Sequence, residues 1–231
     1  LSPPGSSHLR GLTFSASAWT ELGKKGSSTW LFRPASEPSK AGWKYIRAGE
    51  MAGVDQAYKC RVRSPWWRVP LVPAPDLFLT YMNADTPRLI TNRARVHYLN
   101  SVHGVFLRNA VKRLGMDLLP VGALNSATLV GAETVGRSYG GGMLKIEPRE
   151  ADRLPVPSPD LLNSAQKALA DVRPQMGRLL RNGRLTDAAK LIDDILLVGE
   201  LGLSRSSVKS LREAHADLTA RRVARGSRVA N

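Results

Sequence analysis

The 231-residue sequence contains one cysteine, Cys60, so no intramolecular disulfide framework can form. Its four histidines, His8, His97, His103 and His215, are scattered, and none has a second ligand at metal spacing, which argues against a structural zinc. No apolar run approaches the length of a membrane span and no signal-peptide pattern is present, so a soluble, cytoplasmic chain without a membrane partner is expected. Catalytic signatures are missing too. No G-x-G-x-x-G opens a helix after a strand, there is no Walker loop, and no serine sits in a G-x-S-x-G elbow. No Asp or Glu is followed two positions later by Lys, as a nuclease E-x-K site needs. Acidic residues are scarce. Against 34 Lys+Arg stand 19 Asp+Glu, a net charge of +15, and the isoelectric point is near 10.6. That balance makes a polyanion the leading partner, with an acidic protein as the alternative.

With 42% hydrophobic residues the chain can build a core. Its texture divides it into residues 1–157 and 158–231. The first part is rich in Pro, Gly, Trp and β-formers. Strands are expected at Leu12–Ala16, Thr29–Phe32, Lys59–Arg63, Arg88–Thr91 and Val102–Leu107. A helix capped by Ser39 is expected to run to about Val54, and another from Asp117 to Thr134 on an apolar face that includes Leu118, Val121 and Leu129. These mixed elements predict an α+β fold, with a mostly antiparallel, short-stranded domain followed by a C-terminal helical segment. In that segment Ser158-Pro159 forms a cap with proline at the first helical position. Leu161, Ala165, Leu169, Val172, Met176 and Leu179 then make a seam that must be buried. Pro174 should kink or divide this helix and Gly183 should end it. Thr186 and Ser204 are expected to cap two further helices, His215 reads as a packed core histidine, and "RRVARGSRVAN" reads as a frayed basic tail.

The stretch "KCRVRSPWWRVP" concentrates the chemistry. As a strand it would set Lys59, Arg61 and Arg63 on one face, with Cys60 and Val62 inward. Three cations on one face call for an anion opposite, and each phosphate neutralised would contribute nearly one unit of salt slope. Pro65 would turn the chain and bring Trp66, Trp67 and Arg68 beside that face, one indole packing in the core and the other free to stack on a base or sugar. Arg88, Asn92, Asn100 and His103 fall at expected strand ends, and Arg and Asn are the side chains that read guanine and adenine edges bidentately. "GRSYGGGMLK" offers Arg137, Ser138, Tyr139 and Lys145 around Gly140 and Gly141, where absent side chains let backbone N–H groups approach phosphate.

"YKCRVRSPWWRVP", "TYMNADTPRLITN", "NSVHG" and "LNSATLVGAETVGRSYGGGMLKIEPREADRLPVP" resemble, in that order, the C-terminal target-recognition region of adenine-N6 DNA methyltransferases in which the catalytic domain comes first. The resemblance runs from about Leu12 to Pro157. It implies that Leu124-Asn125-Ser126 lies in a helix, that the glycine run meets DNA, and that "LPVP" leads into a closing helical segment. It also implies double-stranded DNA and a catalytic methyltransferase domain as partners. S-adenosylmethionine is the cofactor it implies for that domain, with none in this chain. The family's Pro-Pro-aromatic motif is not matched, because "SPPG" at Ser2–Gly5 has glycine where a stacking ring is needed. The chain alone is therefore expected to recognise DNA without methylating it. Two alternatives stand beside this. Residues 187–220 resemble a helix-turn-helix that would send Arg205 and Lys209 into a groove, or the whole chain is a non-catalytic specificity or scaffold subunit.

Overall fold

A computed structural model describes residues 1–34 and 37–228. In chain order the elements are β1 (Thr13–Phe14), α1 (Ala16–Lys24), α2 (Lys40–Met51), α3 (Tyr58–Arg61), β2 (Leu77–Thr80), β3 (Met82–Asn83), β4 (Leu89–Asn92), β5 (Val102–Val105), α4 (Lys112–Gly122), α5 (Ser126–Val135), β6 (Arg137–Tyr139), β7 (Met143–Lys145), α6 (Pro148–Ala151), α7 (Pro159–Ser164), α8 (Gln166–Arg181), α9 (Leu185–Ile192), a π-helical stretch (Asp193–Glu200) and α10 (Arg205–Arg228). The fold is α+β. One sheet has the order β1-β4-β2-β5, with only β1 parallel to its neighbour, and a second, antiparallel sheet has the order β3-β7-β6. Among the described residues no single helix is long and apolar enough to cross a membrane.

β2 escapes a period-two reading because both of its faces are covered. Leu77 and Leu79 join a core with Leu118, Val121, Leu144, Leu162, Leu169, Met176, Ile192 and Leu196. Phe78 looks the other way, into a cluster with Leu9, Phe14, Ile90, Val96 and Val102. The larger core thus draws on residues from both sides of Pro157. The seam expected after Ser158 is its backbone, with Ala165, Leu169 and Met176 fully enclosed.

Several expectations are corrected. Lys59–Arg63 is not a strand. Tyr58–Arg61 is helical, no neighbouring strand offers a ladder, and Val62 is exposed where an inward position was expected. Among the described residues Thr29–Phe32 has no strand partner either, and Leu12–Ala16 yields only a two-residue strand because Ser15 caps α1 by accepting from Ala18 N. The single helix over Asp117–Thr134 is two helices, α4 and α5, bent by 86°. Of Leu124-Asn125-Ser126, only Ser126 is helical, as the first residue of α5; Leu124 and Asn125 make the corner. The Asn125 carboxamide accepts from Thr128 N at 3.0 Å, and Asp193, fully buried, accepts from Ser126 N and Oγ at 2.7 Å each and from Arg212 Nε at 2.8 Å. Two caps on one helix start make the sharp turn stable.

In the C-terminal part, α8 runs on through Pro174, and the division falls at Ala165. Arg184, not Thr186, precedes α9, whereas Ser204 does cap α10, accepting from Ser207 N at 3.0 Å. The basic stretch from Arg221 is no frayed tail up to Arg228. It is the last two turns of α10, with Arg222 sealed in the interior; residues 229–231 lie outside the described residues.

Candidate nucleic-acid interface

Between α1 and β2 the chain makes a lobe, residues 30–72, that contains eight Lys/Arg and three Asp/Glu. Ser39 caps its main helix as expected, accepting from Gly42 N at 3.2 Å. Its small core is aromatic. Phe32 lies 5.0 Å from Tyr45 and 6.3 Å from Trp67 between ring centroids, and Trp43 meets Trp67 edge-on at 6.3 Å. Trp66 covers Gly49, where a Cβ would stand 2.9 Å from the indole. Both Trp66 and Trp67 are half-buried. Together with Trp30, Phe32, Tyr45 and Arg63 they line a cavity of about 520 Å³. Trp30 itself is 83% exposed, so the aromatic surface opens to solvent.

The lobe's acids are used internally. Glu37 accepts from Trp43 Nε1 at 2.8 Å, and Glu50 accepts from Trp66 Nε1 at 3.0 Å. Each of these two carboxylates satisfies an indole N–H, and the third acid, Asp55, accepts from Gln56 Nε2. Among the described residues, Lys40, Lys44, Arg47, Lys59, Arg61 and Arg63 make no ion pair. Lys40, Lys44, Arg47 and Met51 follow at helical spacings of four, three and four along α2 and line a shallow cleft with Trp43. Arg68 stands 5.7 Å from the Trp67 centroid, and Arg33 Nε donates to Val69 O at 2.9 Å, closing the lobe's base.

The second basic feature is the β6–β7 hairpin. Arg137, Ser138 and Tyr139 are exposed, and Arg137 pairs with Glu150. Lys145 Nζ lies 2.6 Å from Glu147 and 5.3 and 5.2 Å from the Tyr81 and Tyr139 ring centroids. The hydrogen bond to Glu147, then that to Tyr81, raises the Lys145 pKa, and the same Lys145 bond holds Glu147 below its ordinary value. At the tip, a Cβ on Gly140 or Gly141 would meet nothing within 4 Å, and Gly141 has φ 70°. Gly142 differs. A Cβ on Gly226 of α10 would sit 2.0 Å from Gly142 N, so here the glycine run lets two backbones of the same chain cross.

Other residues singled out from sequence are engaged inside the fold. Asn92 is buried, and its amide donates to Pro75 O and Val96 O at 2.9 Å each, which fastens a loop. His103 Nε2 is 2.7 Å from Ile146 O and joins the two sheets. Arg88 is 4% exposed and bound to Asp85 at 2.7 Å. Lys59, Arg61 and Arg63 do not form the basic strand face that alternation suggested, because Tyr58–Arg61 is helical; Asn100 is exposed. The α2 stripe was missed, although its spacing was legible inside the helix expected from Ser39. Of the helix-turn-helix residues, Arg205 pairs with Asp194 and Lys209 with Glu213, while their helix packs along α5 and the glycine hairpin. Among the described residues, no group of three or more His, Cys, Asp or Glu is arranged to hold a metal.

The sequence profile of the family described as type II methyltransferase M.Eco57I, C-terminal domain, matches residues 1–197. The type II methyltransferase M.XamI of Xanthomonas campestris pv. amaranthicola is 33% identical over 120 residues, 52% of this chain and 22% of that protein. The type II methyltransferase M.AccI of Acinetobacter calcoaceticus is 28% identical over 141 residues, 61% of this chain and 26% of that protein. The matched stretches span about a quarter of the length of these relatives. No solved structure matches the chain.

Proposed function

This chain belongs to the family of C-terminal domains of type II methyltransferase M.Eco57I, and from that premise we propose that it is a DNA target-recognition part. Its substrate is double-stranded DNA, read in sequence-specific fashion for an S-adenosylmethionine-dependent adenine-N6 methyltransferase of a restriction-modification or phage-defence system. The observation that carries this reading is the lobe of residues 30–72. Among the described residues its Lys40, Lys44, Arg47, Lys59, Arg61 and Arg63 make no ion pair, and they lie beside half-buried indoles and an exposed Trp30. Such a surface draws phosphates by charge and offers rings for stacking or wedging.

The catalytic domain is the second partner, covalent or in trans, and S-adenosylmethionine belongs to it. The residues present do not fit that cofactor, because the glycine run closes a hairpin against α10 and does not open a helix after a strand.

The test is fluorescence anisotropy of the chain with a duplex, titrated against salt. Affinity should fall with salt. Lys40→Gln, Lys44→Gln and Arg47→Gln together should flatten the slope by about two to three units, and Arg61→Ala with Arg63→Ala by about two. A salt-independent titration would overturn the DNA reading; unchanged slopes in both variants would remove the lobe from the interface.

A further inference from the structure

On the side of the molecule formed by the start of β1, the turn before β4 and the end of α8, three guanidiniums meet around a cavity of about 350 Å³. Arg10, Arg88 and Arg181 come from separate segments, and Asp85 is the one carboxylate lining the space with them. That carboxylate is already saturated. Oδ1 accepts from Arg10 and from Thr86 N at 2.6 Å, and Oδ2 accepts from Arg88 Nη2 at 2.7 Å. Burial pushes the Asp85 pKa up, but Arg88, Arg10 and the Thr86 bond outweigh it and hold it at about 2, so the acid stays charged and committed. The Arg88 side chain is 5% exposed, yet its Nε and Nη1 have no hydrogen-bond partner. Arg181 is exposed and makes no ion pair among the described residues.

We propose that this cavity is a binding site for a phosphate group. Three positive side chains against one satisfied carboxylate leave a local excess of positive charge, with the exposed Arg181 guanidinium open to an anion. Guanidinium forks match a tetrahedral oxyanion, which can accept from several of them at once. The cavity wall keeps room for such a group, since a Cβ on Gly11 or Gly183 would meet nothing within 4 Å. Leu185, also on the wall, starts α9, whose N-cap Arg184 supplies no side-chain bond, so the positive end of that helix adds to the field. The phosphate comes from the DNA backbone or from a free phosphate. The first source rests on the DNA-recognition reading; the site itself does not.

Thermal unfolding of the 231-residue chain, titrated with inorganic phosphate against sodium chloride at matched ionic strength, tests the site. Phosphate should raise the midpoint saturably and chloride should not. Arg181→Gln should weaken the apparent Kd for phosphate about tenfold. Lys24→Gln, which removes an equal charge paired with Glu21 on the exposed face of α1, should leave it unchanged. A parallel salt titration with duplex identifies the source. A slope flattened by about one unit in Arg181→Gln but not in Lys24→Gln assigns the backbone phosphate. Equal slopes, with the phosphate titrations still different, assign a free phosphate. No saturable phosphate effect, or equal phosphate Kd values for Arg181→Gln and the unaltered chain, would overturn the site. The inorganic titration needs no DNA, so the DNA reading can fail in the lobe variants while this result stands.

Discussion

Replacing Arg222 by methionine should be among the most destabilising single changes in the chain, although it lies in a stretch that reads as a solvated tail. Arg222 is 1% exposed and Glu133 3%. Its Nε and Nη2 donate to the Glu133 carboxylate at 2.9 and 2.8 Å, Nη2 also donates to Asp85 O at 3.1 Å, and Nη1 reaches Gly142 O. The pair ties α10 to α5 and to the hairpin tip. Removing Arg222 leaves a buried carboxylate supported mainly by Thr219 Oγ1 at 2.9 Å and strips three carbonyls, those of Ala84, Asp85 and Gly142, of a donor. Breaking a buried pair in this way costs about 3–5 kcal/mol, which in a chain of this size lowers Tm by roughly 6–20 °C. Replacing both, Glu133→Leu with Arg222→Met, removes the uncompensated charge and should cost only about 1–2 kcal/mol, the worth of the abandoned carbonyls. Urea denaturation of the two single variants, the double variant and the exposed neighbour control Arg221→Met supplies the cycle. If Arg222→Met unfolds within about 0.5 kcal/mol of Arg221→Met, the docking of α10 on the hairpin is wrong.

Asp193→Ala should cost about 3 kcal/mol by urea titration, because it removes an internal cap from α5 and leaves Arg212 without its carboxylate; a loss under about 1 kcal/mol would refute that capping role. Gly49→Val should displace the Trp66 ring, change tryptophan fluorescence and weaken duplex binding while leaving every charge in place, and unaltered affinity would show that ring position does not matter. Stability should decline on mild acidification. Burial chiefly holds the His8 and His215 pKa values below 6.5, against the opposing pull of Glu133 on His215, so the unfolded chain takes up protons first and stability is lost as pH falls through 6.5. Substituting both by glutamine should flatten the urea midpoint between about pH 7.5 and 5.5; an unchanged slope would reject these two groups as its source.

What the sequence by itself determined is the part of the structure written in local chemistry. Ser39, Ser158 and Ser204 announce helix starts because a short hydroxyl satisfies the first-turn N–H whatever lies further away. Gly183, at φ 69°, ends α8 because the left-handed conformation needs no distant partner. The α+β class, the buried seam after Ser158 and the basic excess were legible for the same reason. Tertiary structure alone decided whether "KCRVR" would be strand or helix, since its alternation is only as good as the neighbouring strand it lacks. It decided that Leu77–Thr80 would be a central strand, because burial on both faces erases the period-two pattern. It also chose which arginines face water. Arg222 looks like Arg61 and Arg181 in a sequence, and only the Glu133 carboxylate that reaches it across the fold draws it into the interior. Two of the lobe's three acids, Glu37 and Glu50, are bound to indoles instead of to its cations, a pairing fixed by packing and not by sequence distance.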